Sequence, residues 1–360
     1  MTEALAEAGR AGRNPSSQHA FGRAARARLE AARRDVAALA GAEPGGLIFT
    51  SGATEAAALL CAQGWGRIVH SEIEHDAVRA AAAASGAEVA AARAGADGVV
   101  DLAALEAALA APGPPSGAPT LVIVMAANNE TGALQPVAEA ARLARAAGAA
   151  FAVDAAQALG KTAFDFAESG ADFALFSGHK IGGPAGVGAL AAAPGRDVAP
   201  MLRGGGQEMR RRAGTENWLG AVGFGAAAAA ADPARWAPLA ARRNRLETRL
   251  KSKVGDLVFP ANEVHRLPNT LCVATPHWRA ETQLMRLDLA GFAVSAGAAC
   301  SSGKMAESHV LRAMGHGPEI AGSAIRVSFG PETAQEELDA FATAFEQAYA
   351  TRMRAGGQRG

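Results

Sequence analysis

Short apolar runs alternate with alanine-rich stretches over residues 47–190. Each apolar run is typical of a buried strand, and the alanine-rich stretches favour helices. The clearest of these is a crossover helix predicted at Val137–Ala147. The predicted strands are Leu47–Thr50, Arg67–His70, Glu88–Ala91, Leu121–Met125, Phe151–Val153, Phe173–Phe176 and Gly186–Ala191. This alternation predicts an α/β fold with a mostly parallel sheet wrapped by helices.

A second pattern follows a helical stretch at Pro238–Lys253. Strands predicted at Thr270–Val273, Ala293–Ser295 and Arg326–Ser328, with helices between them, indicate a smaller α+β domain. We therefore expect a large domain at residues 14–255, a small domain made of residues 1–13 and 256–352, and a flexible tail at 353–360.

Composition narrows the classes of function. Basic and acidic residues number 35 each, so net charge gives no indication of nucleic acid or a membrane surface as a partner. Three cysteines are too few for a disulfide framework, and Cys61 and Cys272 lie in apolar runs typical of buried positions. With no signal-like segment and no run of about 18 apolar residues, we expect a cytoplasmic protein without a membrane partner.

The first candidate for chemistry is Lys180, which follows an apolar strand in the run Ser177-Gly178-His179-Lys180. A lysine at the end of a core strand is costly unless it is neutralised, paired or used covalently. One covalent use is a Schiff base with pyridoxal phosphate (PLP), whose phosphate Ser177 and His179 can reach. The alternative is a solvated lysine at a strand end.

Two further segments fit the same cofactor. Asp154 ends a short strand and can pair with the pyridinium nitrogen of PLP, and Gln157 can donate to the ring hydroxyl. Residues 50–55 lead from a strand into a helix whose N-terminus, at Ala53 and Thr54, can bind a phosphate. Each has an ordinary alternative, because Asp and Thr are also common helix N-caps.

Together these motifs resemble the cysteine desulfurases, PLP enzymes of the class V aminotransferase group, and more closely the NifS/IscS-like branch. The resemblance runs from about Asn14 to Gly330 and implies the PLP-dependent transferase fold type I. The motifs that carry it are Asn14-Pro15-Ser16-Ser17, Thr50-Ser51-Gly52-Ala53-Thr54-Glu55, Glu74-His75, Asn128-Asn129-Glu130-Thr131-Gly132, Val153-Asp154-Ala155-Ala156-Gln157, Ser177-Gly178-His179-Lys180, Gly204-Gly205-Gly206-Gln207-Glu208, Gly214-Thr215-Glu216-Asn217, Ala298-Ala299-Cys300-Ser301-Ser302 and Ile325-Arg326-Val327-Ser328.

The resemblance assigns roles to residues that are ambiguous alone. It implies that His75 stacks on the PLP ring and aids proton transfer, although a surface histidine is the plain alternative. Asn129 would contact the ring hydroxyl or the substrate carboxylate, and Asn14 would help to bind substrate. Thr215 would reach the PLP phosphate of a partner subunit, which implies a homodimer. Arg326 lies within a strand-like run, where either the carboxylate of L-cysteine or a structural salt bridge can engage it.

Cys300 differs from the other cysteines because Gly, Ala and Ser surround it. Such a segment predicts an accessible thiol in a mobile loop, against the alternative of an incidental surface cysteine. The resemblance implies that Cys300 attacks the sulfur of PLP-bound L-cysteine. The products would be L-alanine and an enzyme persulfide, which a sulfur-acceptor or Fe–S scaffold protein would receive. We expect no metal site.

The family usually begins with a segment containing Asp-x-x-Ala-Thr-Thr/Ala-Pro, which this chain lacks before Asn14. We expect that difference to weaken the site. Three other functions stay open at this point: a selenocysteine lyase, an aminotransferase of the same class, and a non-catalytic sulfur-transfer partner that keeps the fold. The sulfur acceptor and its pathway are not specified by the sequence.

Overall fold

The computed structural model describes residues 1–11, 14–112, 117–296 and 307–357. The chain divides into two compact units. The first comprises Met1–Ala92, Asp101–Ala127 and Gln135–Pro233, and the second comprises Arg93–Val100, Asn128–Leu134 and the chain from Ala234 onward. Each unit has its own sheet and its own apolar core.

The α-helices are α1 (Thr2–Ala11), α2 (Ala20–Ala40), α3 (Ala53–Cys61), α4 (Asp76–Ala84), α5 (Leu102–Ala110), α6 (Val137–Ala146), α7 (Phe166–Ser169), α8 (Trp218–Ala230), α9 (Leu239–Lys253), α10 (Ala280–Leu289), α11 (His309–Ala313), α12 (Pro318–Ala321) and α13 (Gln335–Gly357). The strands are β1 (Leu47–Thr50), β2 (Arg67–Ser71), β3 (Glu88–Ala92), β4 (Thr120–Met125), β5 (Ala150–Asp154), β6 (Phe173–Ser177), β7 (Gly188–Ala192), β8 (Thr270–Ala274), β9 (Ser295–Ala296) and β10 (Ala324–Ser328).

The first unit is built around a sheet in the order β1-β7-β6-β5-β4-β2-β3. Strand β7 runs antiparallel to both of its neighbours, β1 and β6, and the other strands of this sheet all point the same way. Every residue of β1, β2, β5, β6 and β7 is buried. Helices therefore cover both faces, as the continuous apolar runs require. Because the parallel strands point the same way, the residues after β1, β2, β4, β5 and β6 gather at one edge, which we call the carboxyl edge.

The second unit contains an antiparallel sheet in the order β8-β10-β9. Its core combines apolar side chains from that sheet with those of α9, α10 and α13, including the aromatic cluster Trp278, Phe341 and Phe345. Within this unit α9 packs against α13, where Arg249 pairs with Glu346 at 2.9 Å. This unit is the α+β pattern that the second half of the sequence predicts.

Every predicted strand overlaps an observed one, although the strand predicted at Ala293–Ser295 shares only Ser295 with β9. The compact units begin and end elsewhere than the expected domains. Helix α1 packs on α8, so residues 1–11 group with the first unit, and the second unit begins after Pro233 rather than near residue 255. Helix α13 continues to Gly357, into the expected tail, whose flexibility stays a prediction; residues 358–360 lie outside the described residues. Within the described ranges no helix has the length and apolarity needed to cross a bilayer.

Candidate functional site

Thr50, Gly188 and Ser177 lie in one row across three neighbouring strands of the first unit. Gly188 allows this close approach, because a Cβ on it would come within 2.6 Å of the Gly52 backbone. The turn after β1 and the turn after β6 therefore sit on the two sides of β7 at the carboxyl edge. The second of these turns, Gly178–Ile181, carries Lys180, which is half-buried.

The turn at residues 50–54, which we call the phosphate turn, leads directly into α3. Its N-cap is Gly52, so the suggested capping role of Thr54 is wrong; Thr54 lies in the first turn of the helix instead. Gly52 supplies no side chain to bond the first-turn N–H groups, and Thr50 Oγ1 donates to the Gly52 carbonyl at 2.9 Å. The N–H groups near Ala53 and Thr54 are thus suited to an anionic ligand.

Asp154 is the last residue of β5 and is buried, with Oδ1 accepting a hydrogen bond from the Ala156 N–H at 2.9 Å. Burial raises the pKa of the Asp154 carboxyl, and the hydrogen bond from the Ala156 N–H together with nearby His75 and Lys180 opposes that rise. The three side chains therefore lie within electrostatic reach of one another. Asp154 is not a helix N-cap, because a turn rather than a helix follows it.

His75 is half-buried and caps α4, with its Nδ1 accepting from the Ala77 N–H at 3.0 Å. An acceptor at Nδ1 places the proton of the neutral imidazole on Nε2, which assigns the tautomer from the hydrogen bond. The backbone of α4 thus fixes both the orientation of the ring and the nitrogen that carries its proton.

Lys161 joins the cluster formed by Gln157, Ser177, His179 and Lys180, although no sequence motif pointed to it. Its Nζ donates to Gln157 Oε1 at 3.0 Å, although the lysine is only 7% exposed. Ser177 Oγ and His179 Nδ1 lie 2.9 Å apart. The pKa of His179 is lowered by burial and further by the charges of Lys180 and Lys161. The cluster therefore combines several donors with positive charge, which favours an anion.

Glu74 is the other missed residue, although it belongs to a quoted motif. It is fully buried and accepts hydrogen bonds at Oε1 from the Ser71 hydroxyl and from the Met125 N–H, the latter at 2.7 Å. Met125 is the register partner of Asp154, so Glu74 ties the loop before His75 to the strand beside Asp154. Burial raises the pKa of Glu74 to about 8, and the charge of Asp154 adds to the rise.

In the second unit, Arg326 and Asn129 are in contact. Arg326 Nη1 donates to the Asn129 carbonyl at 2.7 Å, and Nε donates to Ser328 Oγ at 3.1 Å. Both of these partners are neutral oxygens, so these bonds orient the guanidinium without neutralising it. Asn128 builds the adjoining turn, with Oδ1 accepting from the Glu130 N–H at 2.9 Å.

Three other predicted residues are not brought into these clusters by the contacts described. Asn14 is exposed, and its Oδ1 accepts from the Ser16 N–H in a local turn. Thr215 is exposed on the segment before α8. Cys300 lies outside the described residues.

The residues of the first unit fit PLP chemically. PLP has a ring nitrogen at one end and a phosphate at the other. Asp154 offers an anionic side chain for the nitrogen, and the first-turn N–H groups beside Thr54 suit the phosphate. Lys180 follows β6, which lies between β1 and β5 in the sheet order. We infer the fit from this donor set.

Comparisons with known proteins agree with this site. The family model for class-V aminotransferases matches residues 3–341. A cysteine desulfurase of Cereibacter sphaeroides is 42% identical over 337 residues, which cover 91% of this chain and 86% of that protein. The structure of a NifS-like protein from Rickettsia africae ESF-5 superimposes with a TM-score of 0.90 at 33% identity, covering 97% of this chain and 95% of that one.

A third solved structure, SspA in complex with cysteine, has a TM-score of 0.77 at 26% identity and covers 92% of this chain and 95% of its own. The family match extends over most of the sequence, and the similarity at 42% identity extends over nearly as much. The chain therefore belongs to the class-V aminotransferase family.

Proposed function

We propose that the protein is an L-cysteine desulfurase that depends on PLP. The observation that carries the proposal is the grouping of Lys180, Asp154 and His75 at the carboxyl edge of the first unit. Asp154 is buried at the end of β5, Lys180 lies in the turn after β6, and His75 caps the helix that follows β2. Relatives that are about 40% identical over most of the chain are cysteine desulfurases, which favours this reaction over the other reactions of the family.

Four groups of this chain would hold the cofactor. Lys180 would bind it covalently, Asp154 would hold the charge on its ring nitrogen, and the first-turn N–H groups at Ala53 and Thr54 would bind its phosphate. Gln157, oriented by Lys161, would bond the ring hydroxyl. When bound, PLP supplies an electron sink for bonds at the α-carbon of an amino acid.

The remaining groups act on the substrate. Arg326, oriented by its bonds to Asn129 and Ser328, would bind the carboxylate of L-cysteine. His75, which carries a proton at Nε2 when neutral, would move protons at the substrate.

Cys300 would take the sulfur. Its thiolate attacks the substrate sulfur, an S–S bond forms, and the C–S bond breaks with its electron pair left on carbon. A proton then completes L-alanine, so that Cys300 thiol and L-cysteine give Cys300 persulfide and L-alanine. Transfer of that sulfur to an acceptor or Fe–S scaffold protein completes the proposed cycle.

We also propose that the protein is a homodimer in which Thr215 completes the partner's phosphate site. Thr215 is exposed in the single chain, and several large apolar side chains are exposed on the chain before α8 and at the starts of α2 and α8, where a partner subunit would cover them. These side chains are Phe21, Met201, Leu202, Met209 and Leu219. The cytoplasmic location stays a prediction from the sequence.

The experiment that tests the function measures alanine and sulfide from L-cysteine, with a thiol reductant to release the sulfur. Wild-type protein should form alanine in proportion to the cysteine consumed, and Lys180→Ala should form none. Alanine release from selenocysteine alone would favour a lyase. Transfer of the amino group to a 2-oxo acid would favour an aminotransferase, and no turnover of any of these would contradict an enzymatic role.

A further inference from the structure

The segment at residues 204–216, which we call the strap, is held in a costly backbone conformation. It includes Gly214 and Thr215 and contains three successive residues with positive φ, Glu208 at 46°, Met209 at 55° and Arg210 at 68°. None of these is glycine, and residues with a Cβ disfavour this region. Such strain persists only where the surrounding contacts fix it.

The strongest of these contacts is a buried ion pair between Glu208 and Arg33 of α2. The two guanidinium nitrogens Nη1 and Nη2 donate to the two carboxylate oxygens at 2.7 and 2.8 Å, and the side chains are 1% and 2% exposed. The pair also bonds β1, the edge strand of the sheet. Glu208 accepts from the Phe49 N–H at 2.9 Å, and Arg33 donates to the Leu47 carbonyl at 2.8 Å.

At this position the ion pair takes the place of a neighbouring strand. Edge strands leave half of their backbone groups without a strand partner, and buried groups of that kind need other hydrogen bonds. Glu208 and Arg33 supply two of them immediately before the phosphate turn. The strap is thereby attached to the strand that leads into that turn.

A second carboxylate, Glu55 in α3, attaches the strap to the phosphate turn itself. Glu55 Oε2 accepts from the Ser51 N–H at 2.7 Å and from the Ser51 hydroxyl at 2.6 Å, while Oε1 accepts from Arg212 Nε at 2.9 Å. Burial alone would raise the pKa of Glu55, but the bonds from Arg212 and Ser51 outweigh it and lower the pKa. Glu55 is thus ionised and bound to both segments.

The strap also closes on itself next to Thr215. Gln207 Oε1 accepts from the Gly214 N–H at 3.1 Å, so the residue beside Glu208 holds the residue beside Thr215. A continuous set of hydrogen bonds therefore runs from the phosphate turn through Glu55 and Arg212, and from β1 through Glu208 and Gln207, to the exposed end of the strap.

We propose that Glu208 and Glu55 are positioning residues that set the phosphate turn and the strap in one fixed arrangement. The phosphate turn is thereby preorganised for the PLP phosphate of its own subunit, and the strap for that of the partner subunit. The proposal rests on the proposed function, because it assumes that both segments bind PLP phosphates. Neither carboxylate touches the cofactor in this account. Each acts through the segments that it joins.

The test compares Arg212→Gln with Arg196→Gln. Both substitutions remove an arginine whose Nε bonds a carboxylate, at 2.9 Å to Glu55 and at 2.8 Å to Asp172, and only the first pair joins the strap to the phosphate turn. Glu55→Gln and the double variant Glu55→Gln/Arg212→Gln complete a cycle. These residues are partly exposed, so loss of the pair leaves no deeply buried charge.

Two quantities are measured: the rate of PLP release from the holoenzyme, and amide hydrogen exchange after PLP removal. Arg212→Gln should speed PLP release about tenfold, and it should speed exchange in residues 51–55 and 207–215 together. The double variant should be no worse than the single ones, since the two residues act as a unit. Arg196→Gln should change neither quantity.

Faster exchange confined to the strap would overturn the proposal, as would PLP release from Arg212→Gln no faster than from Arg196→Gln. Additive effects in the double variant would also contradict it. If the wild-type protein bound no PLP, the proposed function would fail, and the exchange comparison by itself would still decide whether the two segments are coupled.

Discussion

Asp154 ends β5, and Lys180 lies in the turn just after β6, the neighbouring parallel strand. The positive charge of Lys180 opposes the effect of burial on the pKa of the Asp154 carboxyl. An asparagine at position 154 would keep the shape of the side chain and remove its charge. We expect Asp154→Asn to lower kcat by roughly ten- to hundredfold, since a charge-assisted hydrogen bond is worth about 1.5–3 kcal/mol. Steady-state kinetics at saturating PLP measure this.

The matched control for that substitution is Asp165→Asn. Asp165 caps α7 by accepting from the Glu168 N–H, and asparagine caps helices equally well. Unchanged kcat is expected for the control. Equal kcat for wild type and Asp154→Asn would mean that the charge at position 154 plays no part in the reaction.

Glu74 gives a prediction about pH. Burial raises its pKa from 4.5 to about 8, so the folded protein binds this proton more tightly than the unfolded chain. Its contribution to stability is fully present below the unfolded pKa and is lost as pH rises through the folded pKa. We expect the free energy of unfolding of wild type to fall relative to that of Glu74→Gln as pH rises over this range.

Urea denaturation of both proteins in the same cofactor-loaded form measures the difference. Glutamine keeps the acceptor for the Ser71 hydroxyl and the Met125 N–H and does not titrate. Parallel stability curves for the two proteins across the range would show that Glu74 is ionised throughout.

The buried cysteines give a prediction about reactivity. Cys61 and Cys272 are 1% and 2% exposed, and burial raises the pKa of each thiol to about 12. A thiol reagent should therefore modify one cysteine in the native protein, Cys300, and all three after denaturation. Peptide mass spectrometry locates the label, and modification of Cys61 or Cys272 before unfolding would contradict this assignment.

The proposed dimer predicts complementation between inactive chains. Mixed Lys180→Ala and Thr215→Ala chains should form heterodimers with one site that has both wild-type residues. After random exchange, about a quarter of the wild-type activity should return. A mixture of Lys180→Ala with Lys180→Ala/Thr215→Ala should stay inactive. An active monomer in sedimentation experiments, or no recovery after verified exchange, would exclude a shared site.

Much of the fold follows from local patterns. The buried strands of the first unit are continuous apolar runs, so β1 and β6 could be located to within a residue, and the polar residues after them follow from strand direction. The domain boundaries did not follow, because the grouping of α1 with α8 depends on contacts between residues far apart in sequence. Likewise, nothing local indicates that α13 continues to Gly357.

The site could be predicted where an ionisable residue lies at or just after the end of a buried strand, as Asp154 and Lys180 do. The supporting residues were harder to find, because their roles depend on partners distant in sequence. Glu74 bonds Met125, and Glu208 bonds Arg33, across 51 and 175 residues. The one local signal is the glycine-rich run before Glu208, whereas Glu74 lies in a charged run that is typical of the surface.

The most direct measurement of the central claim is peptide mass spectrometry of the holoenzyme after addition of L-cysteine without reductant, together with the alanine released. We expect one added sulfur atom on Cys300 and one alanine for each sulfur gained. Cys300→Ser should still bind PLP, because Lys180 and Asp154 are unchanged, but it should release no alanine. A persulfide on Cys61 or Cys272, or undiminished alanine release by Cys300→Ser, would contradict the account.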